Sequence, residues 1–591
     1  MNPDQARIAY FSMEIALEAS IPTYSGGLGI LAGDMLRSAA DLGLPMVGVT
    51  LAYRKGYFEQ KLDAHGQQTE SPSVWKPEEL VQAADATISL SIEGRRVHVR
   101  AWRYRITGLH GGEVPVYLLD TMLAQNDPKD QKLTDQLYGG DRRYRLCQEI
   151  VLGVGGVRLL KALGHTNLES YHMNEGHSAF LAMALFEDQL REQGTKPEEL
   201  LTEEYLKGGF LEEVKRLRQK CIFTTHTPVP AGHDVFDRGL VTQVIGQHRA
   251  SVLEAGGLMP SGLLNMTELA LACSRYVNGV AMRHGEISRN MFPGFSIRAI
   301  TNGVHAVTWT SLPFQQLYDE HIPEWRGDNR YLRYAMGISV EQIRRAHAET
   351  KRLLIDAIQR ETGVALDESA LTLGFARRAA VYKRADLLLS NPERLERIAK
   401  NLGPIQIIYA GKAHPADEEG KALIRRVYEH AARLKDCVRL IYLENYDMRW
   451  GQLLTGGTDL WLNTPLRPYE ASGTSGMKAS LNGVPSLSVL DGWWIEGYGE
   501  GVTGWSIGDD TPAYGASNEI ESLYDKLEKV ILPQFYKSPL AYGEVMRGAI
   551  AFNGSFFNTQ RMLHQYVQNA YGVAVLPSAS VEGVPFASRE S

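Results

Sequence analysis

From residue 371 to residue 490, short apolar runs and amphipathic stretches alternate almost without interruption. A chain with that rhythm has few options other than βα units wound onto a parallel sheet. Residues 371–376 read as a buried strand, 384–402 as a helix, 405–410 as a strand, 416–434 as a helix and 439–443 as a strand. The pattern continues with 447–454 helical, 459–462 extended, 477–482 helical and 485–490 extended. The first half shows the same signal more faintly. Strands are expected at 7–11, 46–51, 114–119, 170–173, 222–225 and 298–301, with helices after Gly29, around 142–163 and from His177 onward. Two doubly wound, Rossmann-like α/β domains follow, and 591 residues exceed what one hydrophobic core serves. The Pro-, aromatic- and charge-rich stretch 311–332 and the charged helix 339–361 put the boundary near 308. Residues 1–308 and 309–572 are the expected domains, and 573–591, small-residue-rich and aperiodic, is expected to be poorly ordered. Functional loops gather at the carboxyl ends of parallel strands, so the site belongs in a cleft between the two sheets.

Composition removes several classes. With 62 basic and 69 acidic side chains and a net charge of −7, there is no broad cationic field for nucleic acid or an anionic membrane, so any phosphate site is local. Cys147, Cys221, Cys273 and Cys437 are scattered without metal or disulfide spacing and read as buried thiols. Glu14 and Glu18 interrupt the first apolar stretch, which speaks against a secretory leader and for the cytoplasm.

The chemistry concentrates after the predicted strands. Glu470-Ala471-Ser472-Gly473-Thr474-Ser475-Gly476-Met477-Lys478 puts a lysine just inside a helix whose entrance offers free N–H groups, an anion pocket beside an amine. An imine-forming lysine needs burial to lower its pKa, and a cofactor phosphate needs donors close by. Arg377, Arg378, Tyr382, Lys383 and Arg384 crowd the turn after 371–376, which suits a phosphate dianion, although a solvated basic helix start has the same composition. The glycine-rich run from Tyr24 to Asp34, including Gly26 and Gly27, lets amides approach an oxyanion, a weak signal alone. His226 in Thr224-Thr225-His226-Thr227 follows a strand, where a lone histidine is more often structural. Asn302-Gly303 is a natural turn. His172, Glu175 and His177 lack a third ligand with zinc spacing, and no metal is expected.

The lysine string resembles the attachment site of the α-glucan phosphorylases of glycogen, starch and maltodextrin, whose signature reads E-A-S-G-T-x-x-M-K. Other segments match in order from about residue 7 to 500: the run 11–14 with its glycine loop, T-x-H-T at 224–227, E-N-Y at 444–446, and 377–384 against K-R-x-x-x-Y-K-R. The resemblance, to a short bacterial-type form, implies the two-domain GT-B glycosyltransferase architecture. It also implies reversible phosphorolysis of the non-reducing terminal glucose to α-D-glucose 1-phosphate with retention. Lys478 would carry pyridoxal 5′-phosphate as a Schiff base, with Thr474, Ser475, Gly476, Arg377 and Tyr446 around the cofactor. Arg378, Lys383 and the Gly27 amide would hold substrate phosphate, and His226 and Glu470 would engage the reacting glucose. Asn302, Tyr382, Ala471, Ser472, Gly473 and Gly26 would complete the sugar site. The implied partners are an α-1,4-glucan or maltodextrin and inorganic phosphate, with no nucleic acid or membrane, and family habit implies a homodimer. The chain departs from the pattern at Arg377, at Ala379-Ala380-Val381, and at Asp447, where the family has an arginine whose phosphate contact Arg377 or Arg467 is expected to replace. A nucleotide-sugar synthase shares the architecture but has no use for the lysine string. A decayed glucan-binding scaffold has no reason to keep Arg378, Lys383 and Lys478.

Overall fold

The computed structural model describes residues 5–195, 200–202, 205–434, 438–509 and 516–573. Of the tail expected at 573–591 only Val573 falls within them, and Cys437 lies outside; Cys147, Cys221 and Cys273 are buried free thiols.

Two sheets organise the chain. The first, in spatial order, runs Arg298–Ala299, Tyr276–Gly279, Cys221–Thr224, Ser170–Asn174, Ile8–Ser12, Met46–Leu51, Glu113–Asp120, Arg95–Thr107 and Gln82–Ile92. Pairing is parallel as far as Glu113–Asp120 and antiparallel across the last two strands. Its central strands are buried on both faces, which is why they read as unbroken apolar runs. The second sheet is wholly parallel, in the order Val438–Leu443, Ile405–Ala410, Leu371–Ala376, Leu460–Asn463, Ser486–Val489 and Gly504–Ile507. The winding reverses on either side of Leu371–Ala376, so the turns after this strand and after Leu460–Asn463 diverge and leave a crevice at their carboxyl ends. The long helix Val340–Thr362 starts on a capping box of Ser339 and Gln342 and stops at Gly363, which takes a left-handed φ of 72°.

Several expectations need correction. The helix expected from 384 begins at Pro392, because Arg384 is left-handed (φ 48°, ψ 54°) and the Asn391 side chain caps Arg394 N. The helix expected over 142–163 contains a π turn, Val151–Gly155. The antiparallel pair Gln82–Ile92 and Arg95–Thr107 was not expected, since arginines at 95, 96, 100, 103 and 105 mask its alternation. Nor were the strands Tyr276–Gly279 and Gly504–Ile507 expected.

Two segments cross between the halves. Met562, Leu563, Tyr566 and Tyr571, near the chain end, join Ile8, Tyr10 and Leu36 in the core over the first sheet. The hairpin Glu59–Leu62 and Gln68–Ser71 reaches the other way. Gln60 and Asn445 exchange two hydrogen bonds (3.2 and 3.0 Å), as do Gln68 and Ala413 (2.9 and 3.0 Å). Among the described residues no helix is long and apolar enough to cross a membrane.

Candidate active site

The carboxyl-end loops of both sheets enclose a cavity of about 740 Å³. Its wall brings together Gly26, Gly27, His226, Asn302, Arg377, Arg378, Tyr382, Lys383, Tyr446, Glu470, Ala471, Ser472, Gly473, Thr474, Ser475 and Lys478. Gly476 is not in the wall: a Cβ there would lie 2.6 Å from Trp493 Cζ2, so this glycine serves helix packing.

Lys478 is the fourth residue of the six-residue helix Ser475–Ser480, which lies two residues earlier than the helix expected at 477–482. Its Nζ lies 3.6 Å from the centroid of the Trp309 ring and makes no hydrogen bond among the described residues. Burial pushes the amine down to about 8, with Asp34 opposing. Trp309 is held in turn by Asp34, whose Oδ2 accepts from the indole N–H at 2.7 Å. A buried, unpartnered amine packed on an indole face, next to a loop of small residues and a basic cluster, fits an aldehyde cofactor bearing a phosphate.

The basic cluster is divided by one carboxylate. Glu470 Oε2 accepts from Arg377 Nη2 at 2.5 Å and from Lys383 Nζ at 2.8 Å. Burial alone would raise this carboxyl, but the two cations hold it at about 2. Arg378 faces the cavity with no hydrogen bond or ion pair among the described residues, near Tyr57, Tyr382, Glu14 and Tyr138. It is the cation most available to an incoming anion.

The glycine loop is shaped by Glu14, whose Oε2 accepts from Ser25 N at 2.6 Å and Gly26 N at 3.2 Å while Tyr138 donates to Oε1 at 2.9 Å. A Cβ on Gly26 or Gly27 would meet nothing within 4 Å, whereas one on Gly33 would lie 2.0 Å from the Ala16 carbonyl oxygen. Packing therefore requires Gly33, and only what enters the cavity could require Gly27. The amides of Gly27 and Leu28, in the first turn of the helix Gly27–Asp41, have no intrahelical acceptor.

His226 is neutral, pushed down to about 3 by burial, and its Nε2 lies 2.7 Å from Asn174 Oδ1. Because Asn174 Nδ2 donates to Ser12 Oγ, Nε2 is the protonated nitrogen. Glu175, at φ 74°, accepts from His226 N at 2.8 Å and Thr227 Oγ1 at 2.9 Å, which fixes the loop. His172 is structural, bonded to Tyr571 OH and Thr224 Oγ1. The Asn302 carbonyl accepts from Arg561 Nη2 at 2.9 Å, a contact delivered by the chain-end helix.

At the departures from the family pattern, Asp447 caps the helix Met448–Gly457 through Trp450 N at 2.9 Å. Arg467 does not take over the missing arginine's place. It donates to the Asp509 carbonyl at 2.9 Å and lies 3.7 Å from Glu519, outside the cavity wall. Lys412 does enter the wall, donating to the Phe58 carbonyl at 2.8 Å and pushed down to about 8 by burial. Glu14, Tyr138, Trp309, Lys412 and Arg561 were not singled out from sequence. Only Glu14 had a local signal, its place just before the glycine loop.

Residues 14–114 and 241–503 match the model of the carbohydrate phosphorylase family, a span that contains every site residue expected from sequence except His226. The chain is 38% identical to a maltodextrin phosphorylase of Thermococcus litoralis, over 99% of this chain and 73% of the relative. It is 36% identical to a glycogen phosphorylase of Mycobacterium tuberculosis over the same shares. A glycogen phosphorylase of Aquifex aeolicus is 35% identical, over 95% of this chain and 86% of that protein. A lysine string, a basic cluster and a glycine loop facing one cavity thus coincide with near full-length similarity, and the chain belongs to the carbohydrate phosphorylase family.

Proposed function

We propose that this protein is an α-glucan phosphorylase of GT-B architecture. It transfers the non-reducing terminal glucose of an α-1,4-glucan to inorganic phosphate, giving α-D-glucose 1-phosphate with retained configuration. The observation that carries the reading is the unpaired Arg378 guanidinium facing the same cavity as the buried Lys478 amine. Arg378, Lys383 and the Gly27 amide hold the substrate dianion, with Arg378 unpaired and Lys383 already placed by its bond to Glu470. Glu470, Tyr382, His226, Asn302 and the backbone from Ala471 to Gly473 orient the glucose. Lys478 would hold pyridoxal 5′-phosphate, with Thr474, Ser475, Arg377 and Tyr446 around it, and the bound cofactor would supply a second phosphate group to support proton movement. Substrate phosphate gives its proton to the glycosidic oxygen, the glycosidic C1–O bond breaks and the shortened glucan leaves as an alcohol with that proton, and a phosphate oxygen then bonds C1 on the same face of the sugar.

The carboxylates support phosphate as the attacking group. A retaining hydrolase needs a free carboxylate nucleophile about 5 Å from a carboxylic acid. Here Glu470 is locked between two cations and Glu14 is committed to loop amides, while Asp141 and Asp447 cap helices, Glu175 accepts from His226 N and Thr227, and Asp234 pairs with Arg145. Incubation with maltodextrin and inorganic phosphate should yield glucose 1-phosphate, and the purified protein should show a pyridoxal absorbance that borohydride alters. Glucosyl transfer from ADP-glucose, with no product from phosphate, would favour the nucleotide-sugar synthase and overturn the assignment.

A further inference from the structure

The loop from Glu470 to Gly473 has no regular secondary structure. What fixes it is the turn after the strand Ser486–Val489. Asp491, 2% exposed, accepts from Glu470 N through Oδ2 at 2.9 Å and from Gly492 N through Oδ1 at 2.9 Å. Two residues on, Trp493 N donates to the Ser472 carbonyl at 2.8 Å. Gly492, at φ 56°, passes so close that a Cβ would lie 2.3 Å from the Ser472 oxygen. The loop therefore lies on a shelf with no slack.

We propose that Asp491 is a positioning residue for the sugar-binding loop, its carboxylate fixing the height and direction of Glu470 and of the backbone from Ser472 to Gly473. This rests on the reading that the loop binds glucose. Two N–H groups approach two different oxygens, and only a carboxylate offers an acceptor on both; an amide side chain would turn a donor toward one of them. The placement is otherwise costly, since it buries one carboxylate beside another. Burial pushes the Asp491 carboxyl up to about 6; the Glu470 N–H bond opposes this, the Glu470 charge adds to it, and the Gly492 N–H and Lys383 oppose it. The charged groups facing it are Glu470 and Lys383, with Arg377 paired to the same Glu470 oxygen as Lys383. Protonation removes one acceptor, so the loop is held above about pH 6 and loosened as pH falls through it.

The test is glucose binding to the holoenzyme by calorimetry, because glucose is neutral and cannot itself titrate. If only the ionised form holds the loop, wild-type affinity should fall about fourfold from about pH 7.5 to about pH 5.5, the ratio of ionised fractions for a group near 6. Asp491→Asn should bind glucose about tenfold more weakly at the higher pH, the expected loss of one buried charged hydrogen bond, with no further change on acidification. Pyridoxal absorbance and Tm report whether the variant folds; should it not fold, the wild-type pH dependence decides alone. Unchanged glucose affinity in folded Asp491→Asn, or a flat wild-type profile, overturns the proposal. Wild-type protein that neither binds glucose nor makes glucose 1-phosphate overturns the parent reading instead.

Discussion

Glu470→Gln removes one negative charge from between two buried cations and leaves the shape of the side chain intact. In the structure the carboxylate side chain is 6% exposed and its Oε2 is shared by Arg377 and Lys383. Its depression from 4.5 to about 2 corresponds to about 3–4 kcal/mol, at about 1.4 kcal/mol per pH unit, which matches the cost of breaking a buried ion pair. The sign follows from the depressed value. The contribution is complete above pH 4.5 and is lost as pH falls toward about 2, so at neutral pH the variant shows the full deficit. Unfolding entropy of about 2.1 cal/mol/K per residue over 591 residues gives about 1.2 kcal/mol/K, so Tm should fall by about 3 °C. The same change frees both cations for an anion. Inorganic phosphate should therefore raise the Tm of the variant more than that of wild type, by up to about 2.7 kcal/mol equivalent at a hundred times its Kd. Phosphorolysis should nevertheless drop, because a glucose ligand is gone. Scanning fluorimetry at pH 7 with and without phosphate reads both effects. An unchanged Tm, or equal phosphate shifts in the two proteins, would refute the view that Glu470 is an anion clamped by Arg377 and Lys383.

Reconstitution of cofactor-free protein with pyridoxal 5′-phosphate should quicken with pH and level off above about 8, where the Lys478 amine is deprotonated, and Lys478→Ala should show no pyridoxal absorbance at any pH; a rate still climbing toward pH 10 would mark an ordinary exposed lysine. Arg378→Ala should keep that absorbance and the wild-type Tm while turnover falls by about 100-fold or more, the scale of losing one charge-stabilising donor; retained turnover removes the phosphate assignment. Gly27→Ala should fold with unchanged Tm and lose turnover, because its methyl group enters open cavity, whereas Gly33→Ala should be strongly destabilised by the contact with the Ala16 carbonyl, as paired melting curves and glucose 1-phosphate assays will show.

Much of the architecture was legible before any coordinates. The strands Leu371–Ala376, Ile405–Ala410 and Met46–Leu51 fall where the apolar runs place them, because a strand buried on both faces records its burial in every residue. The lysine string, the basic turn and the glycine loop were readable for a related reason: each is a local arrangement whose chemistry depends on neighbours in sequence. Edge and boundary elements were not. Arg95–Thr107 is half solvated, and its arginines blur the alternation that defines a strand. The stretch after Lys383 is helical in composition, yet one left-handed residue at Arg384 ends that option.

Sequence alone therefore determined the parallel βα winding at the centre of the sheets, the residue types available for phosphate and the single candidate amine. Tertiary structure decided which of those groups are already engaged. Glu470 pairs with both Arg377 and Lys383 from 93 and 87 residues away, leaving the trio with a net positive charge, and leaves Arg378 open. Asp491 holds Glu470 from 21 residues on, and Arg561 reaches the Asn302 carbonyl across 259. Local periodicity records that a group is buried. Which partner satisfies its charge or its N–H is set by close packing of segments distant along the chain, and that pairing exists only once the chain has folded.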